Sequence, residues 1–389
     1  CALTKKLDIL LETLGPLGEG SLYGALFTVS EDFQPVNREH KDLAAILYTS
    51  GTTGLSKGAM ITHQNLISNA QTLTSLWRFS KRDILLHALP IFHTHGLFVA
   101  TNIILATSGS MIFLPKFDID EVLKHLPNAT SMMGVPTFYT RLLSDERFTK
   151  AITRHMRLFT SGSAPLLRET HELFKKRTGH AILERYGMTE TNMNTSNPYE
   201  GYRKPGTVGL PLPDVELKIT DASTGKLVLQ GDVGQIEVRG PNVFKGYWRM
   251  PEKTREEFRE DGFFITGDLG LRDEENYIHI VGRSKDIIIS AGYNIYPKEI
   301  ETVLNEQDGV EESAVVGIPH PDFGECPIGF LIAVPNLVID VEKINEVVTN
   351  RLARFKHPKE LLILKKLPRN AMGKVQKNIL RERYRHLFR

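Results

Sequence analysis

Cysteine is nearly absent: Cys1 and Cys326 are the two in 389 residues, far apart and without a CxxC partner. That excludes a disulfide scaffold and a cysteine-liganded zinc site, and it fits a reducing compartment, the cytoplasm. Excess charge of either sign is missing too. Lys+Arg number 48 and Asp+Glu 46, a difference of +2, whereas a dedicated nucleic-acid binder carries a strong basic excess. No apolar run approaches the ~18 residues that mark a membrane-spanning helix. Lys5, Lys6, Asp8 and Glu12 interrupt the stretch where a signal peptide would lie. What is present is an ordinary globular composition, 41% apolar and 24% charged, with length for two or three domains and their cores.

From about residue 43 to 200 one pattern recurs: a short apolar run, a Gly-rich turn, an amphipathic stretch. LAAILYT (43–49), DILLHALP (83–90), SMIFLP (110–115), TSMMGV, RLFTSG and AILERYG read as strands. HGLFVATNIILA (95–106) and LLRETHELFKKR (166–177) read as helices, and Thr62 and Asp118 stand where the N-caps of two more would be. Strands alternating with helices predict an α/β domain with a largely parallel sheet. Past Pro198, VELKIT, GQIEVRG and YIHIVGR lie between Gly, Pro and Asp turns, which predicts a small β-barrel subdomain over about 200–284. The alternation then returns on a smaller scale, with Pro297 at a first helical position and a helix over 340–353. The expected organisation is a large domain, 1–284, followed by a small α+β domain, 285–389.

The loop YTSGTTGLSKG (48–58) concentrates unusual chemistry. Gly51, Gly54 and Gly58 permit close backbone approach. Thr49, Ser50, Thr52 and Thr53 bring hydroxyl donors, and Lys57 brings a positive charge. Polyphosphate oxygens want many donors and some charge. The pattern GxxxxGKS/T does not occur in it, so this is not a Walker A loop. By composition alone, a Gly/Ser/Thr surface loop remains the alternative.

Further segments follow in order: FHTHG (92–96), SGSAP (161–165), ERYGMTET (184–191), TGD (266–268), GRSKD (282–286), AGYNIYP (291–297) and PRNAMGK (368–374). Together with the loop, the series resembles the motifs of the adenylate-forming superfamily, which comprises acyl- and aryl-CoA synthetases, luciferases and peptide-synthetase adenylation domains. The resemblance spans residues 44 to 377. It implies a two-step reaction. A substrate carboxylate attacks the α-phosphate of ATP and releases pyrophosphate; a thiol, usually that of coenzyme A, then displaces AMP. The carboxylate is already ionised at pH 7, so the first step needs positioned anions and neutralised charge rather than a protein base.

The resemblance assigns roles residue by residue. Ser50, Gly51, Thr52, Thr53, Gly54 and Lys57, with Thr49, would hold the β- and γ-phosphates. Glu190 would hold Mg2+, and Thr189 would donate to the α-phosphate. Ser163, Ala164, Glu184, Arg185, Tyr186 and Gly187 belong to the nucleotide-side segments, where Tyr186 reads either as an adenine stack or as a core aromatic. Asp268 suits the ribose diol, with Arg283 beside it. Lys374 would bridge the carboxylate and the α-phosphate. Lys285 occupies a hinge position about which the small domain would rotate, exchanging Lys374 for the loop of Gly292 and Tyr293 that lines the thiol tunnel. His93 reads either as a substrate-orienting group or as a satisfied histidine at a strand end.

The superfamily motifs do not name the acid, but the longer segments FHTHGLFVATN, MGVPTFYTRLL, SGSAPLL and ERYGMTETNMNTSNPYEG resemble malonyl-CoA synthetases, so the implied acid is malonate or methylmalonate, with acetate-like or other short acids as runners-up. Thr94 and Met188 match positions facing the small acyl group, with His95 nearby. A second carboxylate needs a cationic partner. Arg141 is the expected one, unless it lies on a helix surface as a solvated charge; His95, Lys116 and Ser163 are reserves. Only about 40 residues precede the phosphate loop, and the chain opens on Cys1. The expectation is therefore a product truncated at its N-terminus, or a natural short form compensated by partner contacts. A nucleotide-binding fragment without activity and a carrier-protein ligase are the competing classes, and monomer and homodimer both stay open.

Overall fold

A computed structural model describes residues 6, 12–15, 19–30, 32, 34–49, 56–370 and 374–388. The chain divides into two compact units, Cys1–His40 and Lys41–Arg389. The first carries the short helix Ser21–Ala25.

In the second unit, a seven-stranded sheet runs in the spatial order Ser110–Phe113, Ile84–His87, Ser131–Gly134, Leu158–Ser161, Leu183–Met188, Asn192–Ser196, Leu210–Pro211. Its first five strands are parallel, as the alternation predicts, and the last two are antiparallel. Ser131–Gly134 and Leu158–Ser161 are buried at every position, which is why their sequences lack a polar alternation. One core gathers Tyr139, Phe159 and Phe174, and another gathers Trp77, Leu85 and Leu183. The predicted caps form. Thr62 makes a reciprocal capping box with Asn65 at the start of His63–Leu76, and Asp118 accepts backbone N–H bonds from Asp120 and Glu121 at the start of Ile119–His125. The stretch predicted as one helix over 95–106 is a wide π turn, His95–Ala100, running into Thr101–Thr107.

The predicted β region is an antiparallel sheet of Glu216–Thr220, Gly234–Arg239, Phe264–Arg272 and Ile278–Arg283. Among the described residues its ladder is open rather than closed into a barrel, because the two outer strands do not pair with each other. The hairpin of Leu43–Thr49 and Lys57–Thr62 shares its core through Ala59 and Ile61. Beyond Lys285, a five-stranded sheet holds Pro297–Asn305 and Val341–Arg351 on one face, around Ile300, Leu304 and Val348, and Lys377–Tyr384 on the other, around Leu380.

Parallel sheets present ligand sites beyond the carboxyl ends of their strands. Here those ends are His87, Gly134, Ser161 and Met188. The loops that follow carry His93, Thr94, Ser163, Ala164, Thr189 and Glu190.

Candidate active site

Lys57 opens its strand directly opposite Thr49 in the hairpin register. Ser50, Gly51, Thr52, Thr53 and Gly54 lie outside the described residues. Lys57 Nζ donates to Glu257 Oε1 and to Tyr247 Oη, each at 3.1 Å, and sits 4.2 Å from the centre of the Tyr247 ring. Tyr247 Oη in turn lies 2.7 Å from Glu257 Oε2 and 3.0 Å from Glu190 Oε1. Glu190 is buried. Burial pushes its carboxyl upward, against the opposing pull of Tyr247, Lys57 and Arg283. Among the described residues no cation stands within ion-pair range of it, and a buried carboxylate so placed is short of positive charge. That fits a hard dication such as Mg2+, which takes one or two carboxylates and completes its shell with phosphate and water.

Asp268 lies buried in the long strand Phe264–Arg272. Its register partner Arg283 donates from Nε to Oδ1 at 2.8 Å, and Tyr186 Oη donates to Oδ2 at 2.6 Å. Each carboxylate oxygen keeps a free lone pair, enough for a vicinal diol. The Tyr186 hydroxyl is thus committed to Asp268. Lys374 is solvent-accessible yet crowded by the same groups. Desolvation, with Arg283 and Lys285 nearby and Asp268 opposing, brings its ammonium down to about 8. Asn370 clasps the loop, accepting the Lys374 N–H at its side chain and donating its own N–H to the Lys374 carbonyl, both at 3.0 Å. Lys285 stands in the single turn Ser284–Asp286, which an Asp286–Arg381 ion pair of 2.6 Å ties to the last helix.

A third group gathers around Arg185. This guanidinium sits at the centre of the strand Leu183–Met188 and is buried, with Nε and Nη2 lacking a hydrogen-bond partner among the described residues. No carboxylate ion-pairs with it among them, and burial pushes it down to about 9, still charged at neutral pH. His93 is neutral: burial, with Arg185 and Lys374 close by, lowers it to about 4. Its Nδ1 accepts the His95 backbone N–H at 3.3 Å, so the ring proton is assigned to Nε2. His95 is fully buried, with Ser163 Oγ at 3.5 Å from Nδ1 and no partner at Nε2 among the described residues. Burial and Arg185 hold it, too, well below the usual range. Thr94 Oγ1 donates to Asn192 Oδ1 at 2.7 Å. Gly162 and Gly187 admit these groups: a Cβ on Gly162 would stand 2.3 Å from Arg185 Nη1, and one on Gly187 would stand 1.7 Å from the Asn192 carbonyl oxygen. Ser163 takes a left-handed φ of 68°. Ala164, Met188 and Thr189 are half-buried in the same loops.

Not every expected residue joins. Arg141 is exposed on the helix Pro136–Leu143, over the Phe117 ring at 5.4 Å, and Lys116 is exposed. The helix period accounts for this: Tyr139, Leu142 and Leu143 form its buried face. Glu184 turns to His171 Nδ1 at 3.6 Å and accepts the Gly206 N–H at 3.2 Å. Gly292 adopts a φ of 83°, and Tyr293 is exposed and stacked on Phe355 at 4.7 Å. Tyr247, Glu257 and Asn192 escaped sequence reasoning. The signal for Tyr247 was an aromatic after glycine in KGYW (245–248); for Glu257 there was none beyond its charge.

The profile of the AMP-binding enzyme family matches residues 4–248, and that of the AMP-binding enzyme C-terminal domain matches 299–374. The chain belongs to the AMP-binding enzyme family. A malonate–CoA ligase of Arabidopsis thaliana is 39% identical over 90% of the chain and 62% of its own length. A long-chain-fatty-acid–CoA ligase of Bacillus subtilis is 38% identical over 89% of the chain and 62% of its length. The chain therefore spans about 62% of each of these AMP-binding enzymes. ATP-bound MatB from Rhodopseudomonas palustris superposes with a TM-score of 0.97 at 58% identity, over the whole chain and 77% of MatB. Against apo MatB, at the same identity and coverage, the score is 0.81. The backbone arrangement is thus nearer that of the ATP-bound form.

Proposed function

We propose that this chain joins malonate, or a 2-substituted malonate such as methylmalonate, to coenzyme A through an acyl-adenylate, releasing pyrophosphate and then AMP. The observation that carries the choice of acid is Arg185: a buried guanidinium with two unpaired donors among the described residues, ringed by neutral His93 and His95. A buried cation without a counter-ion is strongly unfavourable. A dicarboxylate supplies that counter-ion with its distal group, in bidentate geometry, while its proximal carboxylate faces the α-phosphate. An acetate-like acid or a fatty acid leaves the guanidinium unpaired. The relatives include both a malonate and a long-chain-fatty-acid ligase, so this group, rather than kinship, discriminates.

On this reading Asp268, with Tyr186 and Arg283 locking its oxygens, takes the ribose hydroxyls. Lys57 and Thr49 face the β- and γ-phosphates, and Thr189 faces the α-phosphate. Mg2+ held by Glu190 neutralises phosphate charge when bound. The Lys374 ammonium holds the attacking carboxylate and the α-phosphate together, and the His93 Nε2–H donates to one of these anions. The nearer match to ATP-bound than to apo MatB supports taking this arrangement as the adenylating one. Rotation about Lys285 would then withdraw Lys374 and bring the Gly292–Tyr293 loop to the site for thioester formation. That divides the chain functionally into 1–284 and 285–389.

The test is acid-dependent exchange of labelled pyrophosphate into ATP, with malonate, methylmalonate, acetate and octanoate in parallel. Exchange is expected with the two malonates and to be at least ~100-fold weaker with the monocarboxylates, because a site built for a polar group rejects analogues lacking it. Preferred exchange with octanoate would refute the malonate assignment, and exchange with none would refute the ligase reading.

A further inference from the structure

Glu257 belongs to none of the sequence motifs, yet it engages two polar groups of the site at once. It ends the helix Pro251–Glu257. One of its oxygens accepts from Lys57 Nζ and from Lys253 Nζ, each at 3.1 Å; the other lies 2.7 Å from Tyr247 Oη. Tyr247 Oη is also 3.0 Å from Glu190 Oε1. A phenol has one proton and donates it to one carboxylate at a time. The shorter contact is to Glu257, so the phenol proton is assigned there, and the Glu190 carboxyl keeps its own backbone N–H as donor. Lys57 has three N–H bonds; Glu257 and the Tyr247 oxygen take two of them.

We infer that Glu257 is a positioning residue for the pyrophosphate end of ATP. By accepting the Tyr247 proton and one Lys57 N–H, it frees the Glu190 carboxylate for the metal ion and directs the third Lys57 N–H to a phosphate oxygen. Removing the carboxylate lets Tyr247 turn its proton to Glu190 and lets the flexible lysine wander. The inference rests on the reading that this chain binds ATP with Mg2+. It does not depend on which acid is used.

The test is calorimetric titration of the full chain, unmodified and as Glu257→Gln and Glu257→Asp, with ATP plus Mg2+ and separately with AMP. AMP shares the adenine, ribose and α-phosphate but lacks the part that Glu257 is inferred to organise. The expected result for Glu257→Gln is binding of ATP–Mg2+ weakened about tenfold, with a higher Mg2+ requirement, and AMP binding unchanged within about twofold. Glu257→Asp, which keeps the charge, should recover part of the loss. Equal weakening of both nucleotides would reduce Glu257 to a structural residue and overturn the inference. Unchanged or tighter ATP binding would overturn it as well, the latter marking Glu257 as a competitor of the phosphates. An unmodified chain that binds ATP–Mg2+ but exchanges with no acid would refute the proposed function alone. One that does not bind ATP–Mg2+ would overturn both.

Discussion

Lys57 and Arg185 are two cations of one site, and the fold treats them in opposite ways. Lys57 meets Glu257 and Tyr247 at 3.1 Å, and through Tyr247 it is linked to Glu190. Arg185 is buried with Nε and Nη2 unpaired among the described residues, and its electrostatic neighbours Tyr139, His93 and His95 bring no negative charge to it at neutral pH. At the proposed phosphate end Lys57 is thus paired before any ligand arrives, so its side chain is aimed rather than waiting. The acyl end is left incomplete, and an unpaired buried charge costs several kcal/mol. The difference teaches where specificity resides. On the proposed reading, the paired Lys57 sets geometry for the nucleotide, whereas the unpaired guanidinium asks for one kind of acid.

Lys374 stands between the two ends, and its removal should have the largest effect. Lys374→Ala is expected to lower pyrophosphate exchange about a thousandfold, the scale of losing a principal charge contact in the transition state. Thioester formation from preformed acyl-adenylate should persist, since the lysine is proposed to leave the site for that step. Equal loss of both half-reactions would contradict the proposed exchange of Lys374 for the Gly292–Tyr293 loop.

A smaller effect sharpens the same point through pH. The Lys374 ammonium is lowered to about 8, so the charged form prevails below that value and is lost as pH rises through it. The kcat/KM for exchange should therefore fall above pH 8, by about tenfold per unit. In Lys374→Arg the descending limb should disappear from that window, because a guanidinium keeps its charge there. A limb that stays in the arginine variant would assign the titration to another group.

Much of this was legible in the chain. The parallel strands, the Thr62 and Asp118 caps and the helix started by Pro297 follow from local patterning. Glu190, Asp268, Arg283, Lys57 and Lys374 were singled out by motif. What stayed hidden depended on burial and side-chain direction. Arg185 was grouped with the nucleotide segment because spacing does not tell which face of a strand a residue takes; alternation sends it away from Tyr186, which reaches Asp268. Arg141 was preferred for the distal carboxylate, although Tyr139, Leu142 and Leu143 already mark the opposite side of its helix as the buried one. Glu257 and Tyr247 meet Lys57 across 200 and 190 residues of sequence, a pairing that only the packing of the hairpin against the β region brings about. The strand Asn192–Ser196, polar at four of its five positions yet buried at every one, gave no strand signal.

The most direct measurement is the ratio of kcat/KM for malonate to that for acetate in pyrophosphate exchange, in the unmodified chain and in Arg185→Met. The expected result is a large ratio that collapses about a hundredfold in the variant, mainly through malonate, with the fold intact because a buried unpaired charge is exchanged for an apolar side chain of similar length. A ratio unchanged by the substitution would contradict the account, since the second carboxylate would then be read elsewhere.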